Sequence, residues 1–227
     1  MPQQANQFSQ HLNKVKRRAN RLLRDHAQHQ DSYEINFMGI KLILLPDVFS
    51  PIYGEGAKLL SEFVNTHEEE TVLDMGTGSG ALAIFAAKKG SKVVAIDMSP
   101  AAVSCAKLNV KKLGLESKVD VRHGDLFSPL KADEQFSLII FNPPFMDGNP
   151  TSYLQAAMFD AEYRTLTKFF RSVKAHLADN GRILLAFSNA GDVNRLESLI
   201  NQYGLRSKVL KRIQWDLEFF VYEVKRK

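Results

Sequence analysis

Apolar residues at Phe8, Leu12, Val15, Ala19 and Leu22 fall three or four apart and draw one stripe on a helix whose other positions are polar or basic. The rhythm changes after residue 30. Tyr33, Ile35 and Phe37 alternate with polar residues, as do Ile40, Leu42 and Leu44 beyond Gly39, which predicts a short antiparallel hairpin over 33–45. Pro46 and Pro51 enclose the loop Asp47-Val48-Phe49-Ser50, and a helix over 54–64 follows, stopped by Asn65 and an acidic run from Glu68 to Glu70. Short β-branched runs then alternate with helical stretches. The strands are expected over 71–74, 92–97, 118–122, 136–141, 182–188, 206–214 and 217–225, and the helices over 79–89, 100–113, 153–178 and 191–203. This alternation predicts an α/β fold, a doubly wound, mostly parallel sheet of seven strands covered on both faces. Only Gln214-Trp215-Asp216 separates the last two strands, too short a link for a parallel crossover, so the final strand runs antiparallel. The chain divides into an N-terminal helix and hairpin, 1–52, and a sheet domain, 53–227.

Composition narrows the class. The 227 residues, 44% of them hydrophobic, suffice for one full core with a small appendage. The single cysteine, Cys105, lies on an apolar helical stripe and reads as a packed, inert thiol. The first thirty residues lack an apolar signal-type core, and no apolar run reaches transmembrane length, so a soluble, cytoplasmic protein without a membrane partner is expected. The six histidines show no metal-ligand spacing, and no metal is expected. Charge is unevenly placed. Lys14, Lys16, Arg17, Arg18, Arg21 and Arg24 stand against Asp25 alone in residues 1–30, which therefore carry the whole net charge of +5. Such a face is either solvated or a contact to phosphates of RNA or a ribosomal particle.

Two segments carry chemistry. The first, Val72-Leu73-Asp74-Met75-Gly76-Thr77-Gly78-Ser79-Gly80, ends a buried strand in a glycine loop that lets a ligand approach the backbone. Its spacing is Gly-x-Gly-x-Gly, and Asp74 sits where a carboxylate would repel a pyrophosphate, which argues against NAD and FAD. A cofactor with sulfonium and ammonium charges, S-adenosylmethionine, suits that carboxylate better. Asp97, followed by Met98, ends the next strand, where an acid can accept both ribose hydroxyls. Asp125, followed by Leu126, ends the third and can accept from an adenine amino group. The second segment is Asn142-Pro143-Pro144-Phe145, after the fourth strand. The Asn142 side-chain carbonyl and the Pro143 backbone carbonyl can each accept one N–H of a planar NH2 group and favour the positive charge that develops on its nitrogen. Pro143 and Pro144 stiffen those carbonyls, and Phe145 offers a flat face for stacking.

Residues 71–145 resemble class I S-adenosylmethionine-dependent methyltransferases, with Asp74 to Gly80 as the glycine motif, Asp97 as the ribose acid and Gly124-Asp125-Leu126-Phe127 as the adenine motif. Asn142-Pro143-Pro144-Phe145 is similar to the signature of amine and amide N-methyltransferases. The resemblance implies a Rossmann-like fold and a cofactor site built from Asp74, Gly76, Thr77, Gly78, Gly80, Asp97, Met98, Asp125, Leu126 and Asn142. The catalytic residues it implies are Asn142, Pro143, Pro144 and Phe145. Leu45-Pro46-Asp47-Val48-Phe49-Ser50 and the phenylalanine after the prolines are similar to ribosomal RNA guanine-N2 enzymes, whereas the release-factor glutamine-N5 enzymes usually show tyrosine there. The small N-terminal appendage departs from both. The expected activity is methylation of a nucleobase amine or glutamine amide in the translation apparatus. A small-molecule acceptor with the N-terminal segment as a lid is the alternative, ahead of a noncatalytic S-adenosylmethionine- or RNA-binding scaffold.

Overall fold

The computed structural model describes residues 2–227, with side chains described from Ser9 onward. The β-branched runs assemble as expected into one sheet: β3 (Thr71–Met75), β4 (Lys92–Asp97), β5 (Val119–His123), β6 (Phe136–Phe141), β7 (Leu177–Ser188), β8 (Leu205–Gln214) and β9 (Glu218–Arg226). Their order across the sheet is β5-β4-β3-β6-β7-β9-β8. Strands β3 to β7 pair in parallel, and β9 runs antiparallel between β7 and β8. The hairpin β1 (Tyr33–Phe37) and β2 (Ile40–Leu44) forms a separate two-stranded sheet.

Alternate residues of each strand feed opposite faces, as the two-residue period dictates. Leu138 and Ile140 of β6 join Val72, Leu184 and Val221 beneath helices α3 (Ala81–Lys88) and α4 (Pro100–Lys112), where the hairpin and α2 (Gly56–Ser61) also pack. Ile139 and Phe141 turn to the other face and meet α6 (Arg164–His176) and α7 (Val193–Gln202) through Phe169, Phe170, Leu196 and Leu199. One buried polar side chain ties the hairpin to this domain: Asn109 of α4 accepts from Ile43 N at 2.7 Å and donates to Ile43 O at 2.8 Å and Ser79 O at 2.9 Å. Cys105 is buried, as its apolar stripe predicts.

Three boundaries differ from expectation. The single helix over 153–178 is broken into α5 (Tyr153–Ala156), a short 3-10 turn (Ala161–Tyr163) and α6. Phe159 forms a parallel bridge with Met146, as Met146 N bonds Met158 O at 3.1 Å and Asp160 N bonds Met146 O at 2.9 Å. Asp160 then starts a new helix by accepting from the N–H groups of Thr165 and Leu166 at 2.8 and 3.0 Å. Strand β7 begins at Leu177 rather than 182, with 178–181 looped out where the pairing jumps from Phe136↔Leu177 to Leu138↔Arg182. Helix α2 is shorter than the expected 54–64.

The amphipathic N-terminal helix is present as α1 (Pro2–Ala27), but only part of its stripe is buried. Ala19 and Leu22 pack on Met146 and Met158, with Val15 beside them, while Leu12 stays exposed. The Phe8 side chain lies outside the described residues. Arg18, expected on the outer basic face, is instead 5% exposed. No helix among the described residues is long and apolar enough to cross a membrane.

Candidate active site

The parallel strands β3, β4, β5 and β6 end on one side, and the loops that leave them enclose a cavity of about 490 Å3. Asp74 closes β3 from within, 2% exposed. Its Oδ2 accepts from the Thr77 hydroxyl at 2.6 Å and from Ala83 N–H at 3.0 Å, so the carboxylate stitches the glycine loop to the first turn of α3, where helical N–H groups lack partners. Burial raises its pKa from 3.8 to about 6. Gly76, Gly78 and Gly80 all take positive φ, which lets the loop turn back at the end of β3.

Asp97, at the end of β4, accepts from Gly78 N–H at 2.8 Å and Ser99 N–H at 2.9 Å, one on each oxygen. Met98 N–H also bonds this carboxylate, which leaves it one further lone pair that can face a ligand. Burial raises this pKa as well. Asp125, beyond β5, is more exposed and pairs with Lys168 at 3.2 Å. Leu126 beside it holds φ at +50, a left-handed backbone that costs a leucine energy.

Asn142-Pro143-Pro144-Phe145 leaves β6 into the same cavity. The Asn142 side-chain oxygen is buried without a hydrogen-bond partner among the described residues. A buried carbonyl in that state costs roughly 1–3 kcal/mol, so it is an acceptor that lacks its donor. Two glycines crowd the loop. A Cβ on Gly56 would overlap the Asn142 carboxamide, with Cγ at 2.8 Å and Nδ2 at 3.0 Å, and one on Gly191 would strike the Phe145 carbonyl. The Phe145 ring meets Phe187 and Phe219 edge-on, at centroid distances of 6.0 and 6.3 Å.

Helix α1 roofs the cavity at this end through Arg18 and Leu22. Arg18 bonds Asp216 at 3.1 Å, lies 3.7 Å from Glu55 and stacks over Phe219 at 4.8 Å. The foot of α1 is pinned by His26, whose Nε2 accepts from Ser50 N–H at 2.8 Å while Nδ1 faces Leu22 O at 2.6 Å. Accepting from an N–H requires an unprotonated Nε2, and burial, which lowers the His26 pKa, favours that neutral form.

Of the expected site residues, Asp74, Gly76, Thr77, Gly78, Asp97, Met98, Asp125, Leu126, Asn142, Pro143, Pro144 and Phe145 all line this one cavity. Gly80 does not. It stands at the N-cap of α3, where its bare Cα lets the helix approach Ala106. Sequence reasoning missed Gly56, Gly191, Glu55 and Arg18. A signal for Arg18 was present, since positions 15, 18 and 22 share a helix face, so a basic residue there faces inward with Val15 and Leu22. Among the described residues no cluster of three or more His, Cys, Asp or Glu side chains is arranged to hold a metal ion.

Known proteins resemble the chain in sequence and in fold. The chain is 41% identical over 96 residues to a release factor glutamine methyltransferase of Rhodopirellula baltica, a match covering 41% of this chain and 32% of that protein. A provisionally named protein N5-glutamine methyltransferase of Methanocaldococcus jannaschii is 31% identical over 196 residues, covering 81% of this chain and 94% of its own. The fold superposes on a T. thermophilus 16S rRNA guanine-N2 methyltransferase, in complex with AdoMet and guanosine, with TM-score 0.65 at 22% identity, covering 86% of this chain and 50% of that one. The chain thus matches about a third of the bacterial relative's length and nearly all of the archaeal one's. The family model for the methyltransferase small domain matches residues 39–212, a span that holds the whole glycine loop, the strand-end acids and the Asn142 to Phe145 loop, and the chain belongs to that family.

Proposed function

We propose that the chain is an S-adenosylmethionine-dependent N-methyltransferase of a planar NH2 group, with 53–227 as the transferase domain and 1–52 as its lid and recognition segment. The residues fit this cofactor. Two carboxylates, Asp74 and Asp97, face a cavity of about 490 Å3, within the usual range of small-molecule sites, and suit a ligand with cationic groups. Asp97 would take the ribose hydroxyls, Asp125 and Leu126 the adenine, and the loop from Asp74 to Gly78 the charged end, with Met98 alongside. Bound there, the cofactor supplies an electrophilic methyl group. The protein's own work is to hold an acceptor nitrogen in line and keep water out.

The observation that carries the reading is the unpartnered Asn142 oxygen inside the cavity. An acceptor NH2 would donate one hydrogen to it and the other to the Pro143 carbonyl, and both bonds strengthen as the nitrogen gains positive charge. No strong general base is needed. Replacing Asn142 by Ala is expected to lower turnover roughly 10²- to 10³-fold, as for a lost electrostatic stabiliser, while cofactor affinity stays within a few-fold. Transfer of labelled methyl groups together with calorimetric titration of the cofactor measures both, and undiminished turnover would exclude the role.

For the acceptor we favour a glutamine amide or nucleobase amine of the translation apparatus. The named activities of the relatives support it, as do the exposed residues Lys14, Lys16, Arg17, Arg21 and Arg24 on the outer face of α1. One observation favours a second reading, a small-molecule acceptor: Leu22, Val48, Phe49, Met146, Met158 and Phe159 surround the acceptor end with apolar groups beneath α1. A panel of a glutamine peptide, a folded RNA and free nucleosides or aromatic amines separates the two.

A further inference from the structure

Gly56 opens α2 at its first helical position, yet its φ is not positive, so nothing in the backbone calls for glycine. Alanine is the better helix former. The reason lies in what a side chain would meet. The three atoms nearest to a Cβ at this position are Oδ1, Cγ and Nδ2 of one residue, Asn142. The same Oδ1 is buried and unpartnered, and Gly56 is itself buried in the cavity wall.

We propose that Gly56 is a positioning residue for methyl transfer: the room left by its missing side chain is the slot in which the Asn142 carboxamide lies. This rests on the reading of Asn142 given above. The terminal torsion of an asparagine is broad and soft, so packing rather than torsional preference decides where the carbonyl points. In the slot the oxygen is held away from water and from every described protein donor, so an acceptor N–H is the partner it lacks. A methyl group at position 56 fills the slot and pushes the carboxamide into the space the acceptor must occupy. The glycine loop follows β3 and Asp97 ends β4, so neither lies on α2.

The test compares Gly56→Ala with the parent on whichever NH2 acceptor the parent methylates. A displacement of about an ångström at a reacting centre costs about 10²-fold, so kcat is expected to fall by that order while the cofactor Kd stays within about twofold. In an Asn142→Ala background the same change is expected to do nothing further, because its target is gone. Equal losses in both backgrounds, or a parallel loss of cofactor affinity, would overturn the assignment. A second readout needs no turnover. The Asn142 side-chain amide signal in a 15N-labelled protein, identified by its absence in Asn142→Ala, is expected to move in Gly56→Ala, and an unmoved signal would refute the slot. A moved signal in a parent that methylates no NH2 compound would leave the slot standing and reject the proposed reaction.

Discussion

Asp74 shows how one side chain serves fold and ligand together. Its carboxylate anchors Thr77 and the start of α3, which alone justifies an acid at that place. It also lines the cavity, with burial lifting its pKa to about 6. Because the folded value lies above the unfolded one of 3.8, the free protein binds this proton more tightly than the unfolded chain does, and the free protein gains stability as pH falls from about 6 toward 3.8. A cationic ligand has the opposite preference and requires the charged form. S-adenosylmethionine affinity is therefore expected to weaken below pH 6, approaching tenfold per unit, with a proton released on binding. Calorimetry at pH 5 and 7.5 in two buffers of different ionisation enthalpy reads both effects, and a pH-independent affinity would show that Asp74 does not sense the ligand's charge. Asp74, Asp97 and Asn142 were legible in the sequence because strand ends and special loops announce themselves. Gly56 and Gly191 were not, since their roles arise from contacts to residues more than forty positions away in the chain.

Helix α1 was legible as an amphipathic element, but its basic residues do not act as one set. Arg18 is held inside by Asp216, Glu55 and Phe219, whereas Lys14, Lys16, Arg17, Arg21 and Arg24 face outward. Only the outward group is available to phosphates. If RNA is the acceptor, changing Lys14, Arg17 and Arg21 to Gln is expected to flatten the slope of log K against log salt by about two to three units, with cofactor binding unchanged. A parent that shows no salt-sensitive RNA binding would remove RNA and leave a peptide or small acceptor. The break in the helix over 153–178 was not legible, because Leu154, Ala157, Met158, Leu166 and Phe170 continue a helical rhythm across it. What interrupts them is tertiary. The backbone pairing of Met146 with residues 158–160 and the cap by Asp160 outweigh local preference, and the segment thus freed forms part of the cavity wall.

At the scale of the whole molecule, the β/α alternation and the short Gln214-Trp215-Asp216 link were enough to anticipate the sheet and its antiparallel last strand. A lid made of the N-terminal segment was among the expected readings, whereas the hairpin's attachment through Asn109 was beyond reach, since it depends on packing between segments far apart in sequence. The position of β9 carries a consequence for how the protein is made. It follows β8 in the chain, yet it sits between β7 and β8, and among the described residues β8 pairs with it alone. Until residues 218–226 emerge, β7 presents the bare edge of Ile183 to Ser188, and Arg18 lacks the Phe219 ring on which it rests. A nascent or truncated chain ending at residue 216 is expected to be a sticky intermediate with an open roof, since a long apolar edge invites pairing between chains. Light scattering of that truncation against the full chain measures it, and a monomeric truncation with native circular dichroism would refute it. Order of synthesis then acts as a timer: Phe219 reaches the cavity wall only once residues 218–226 have been made, and a product interrupted before them is expected to aggregate or be degraded.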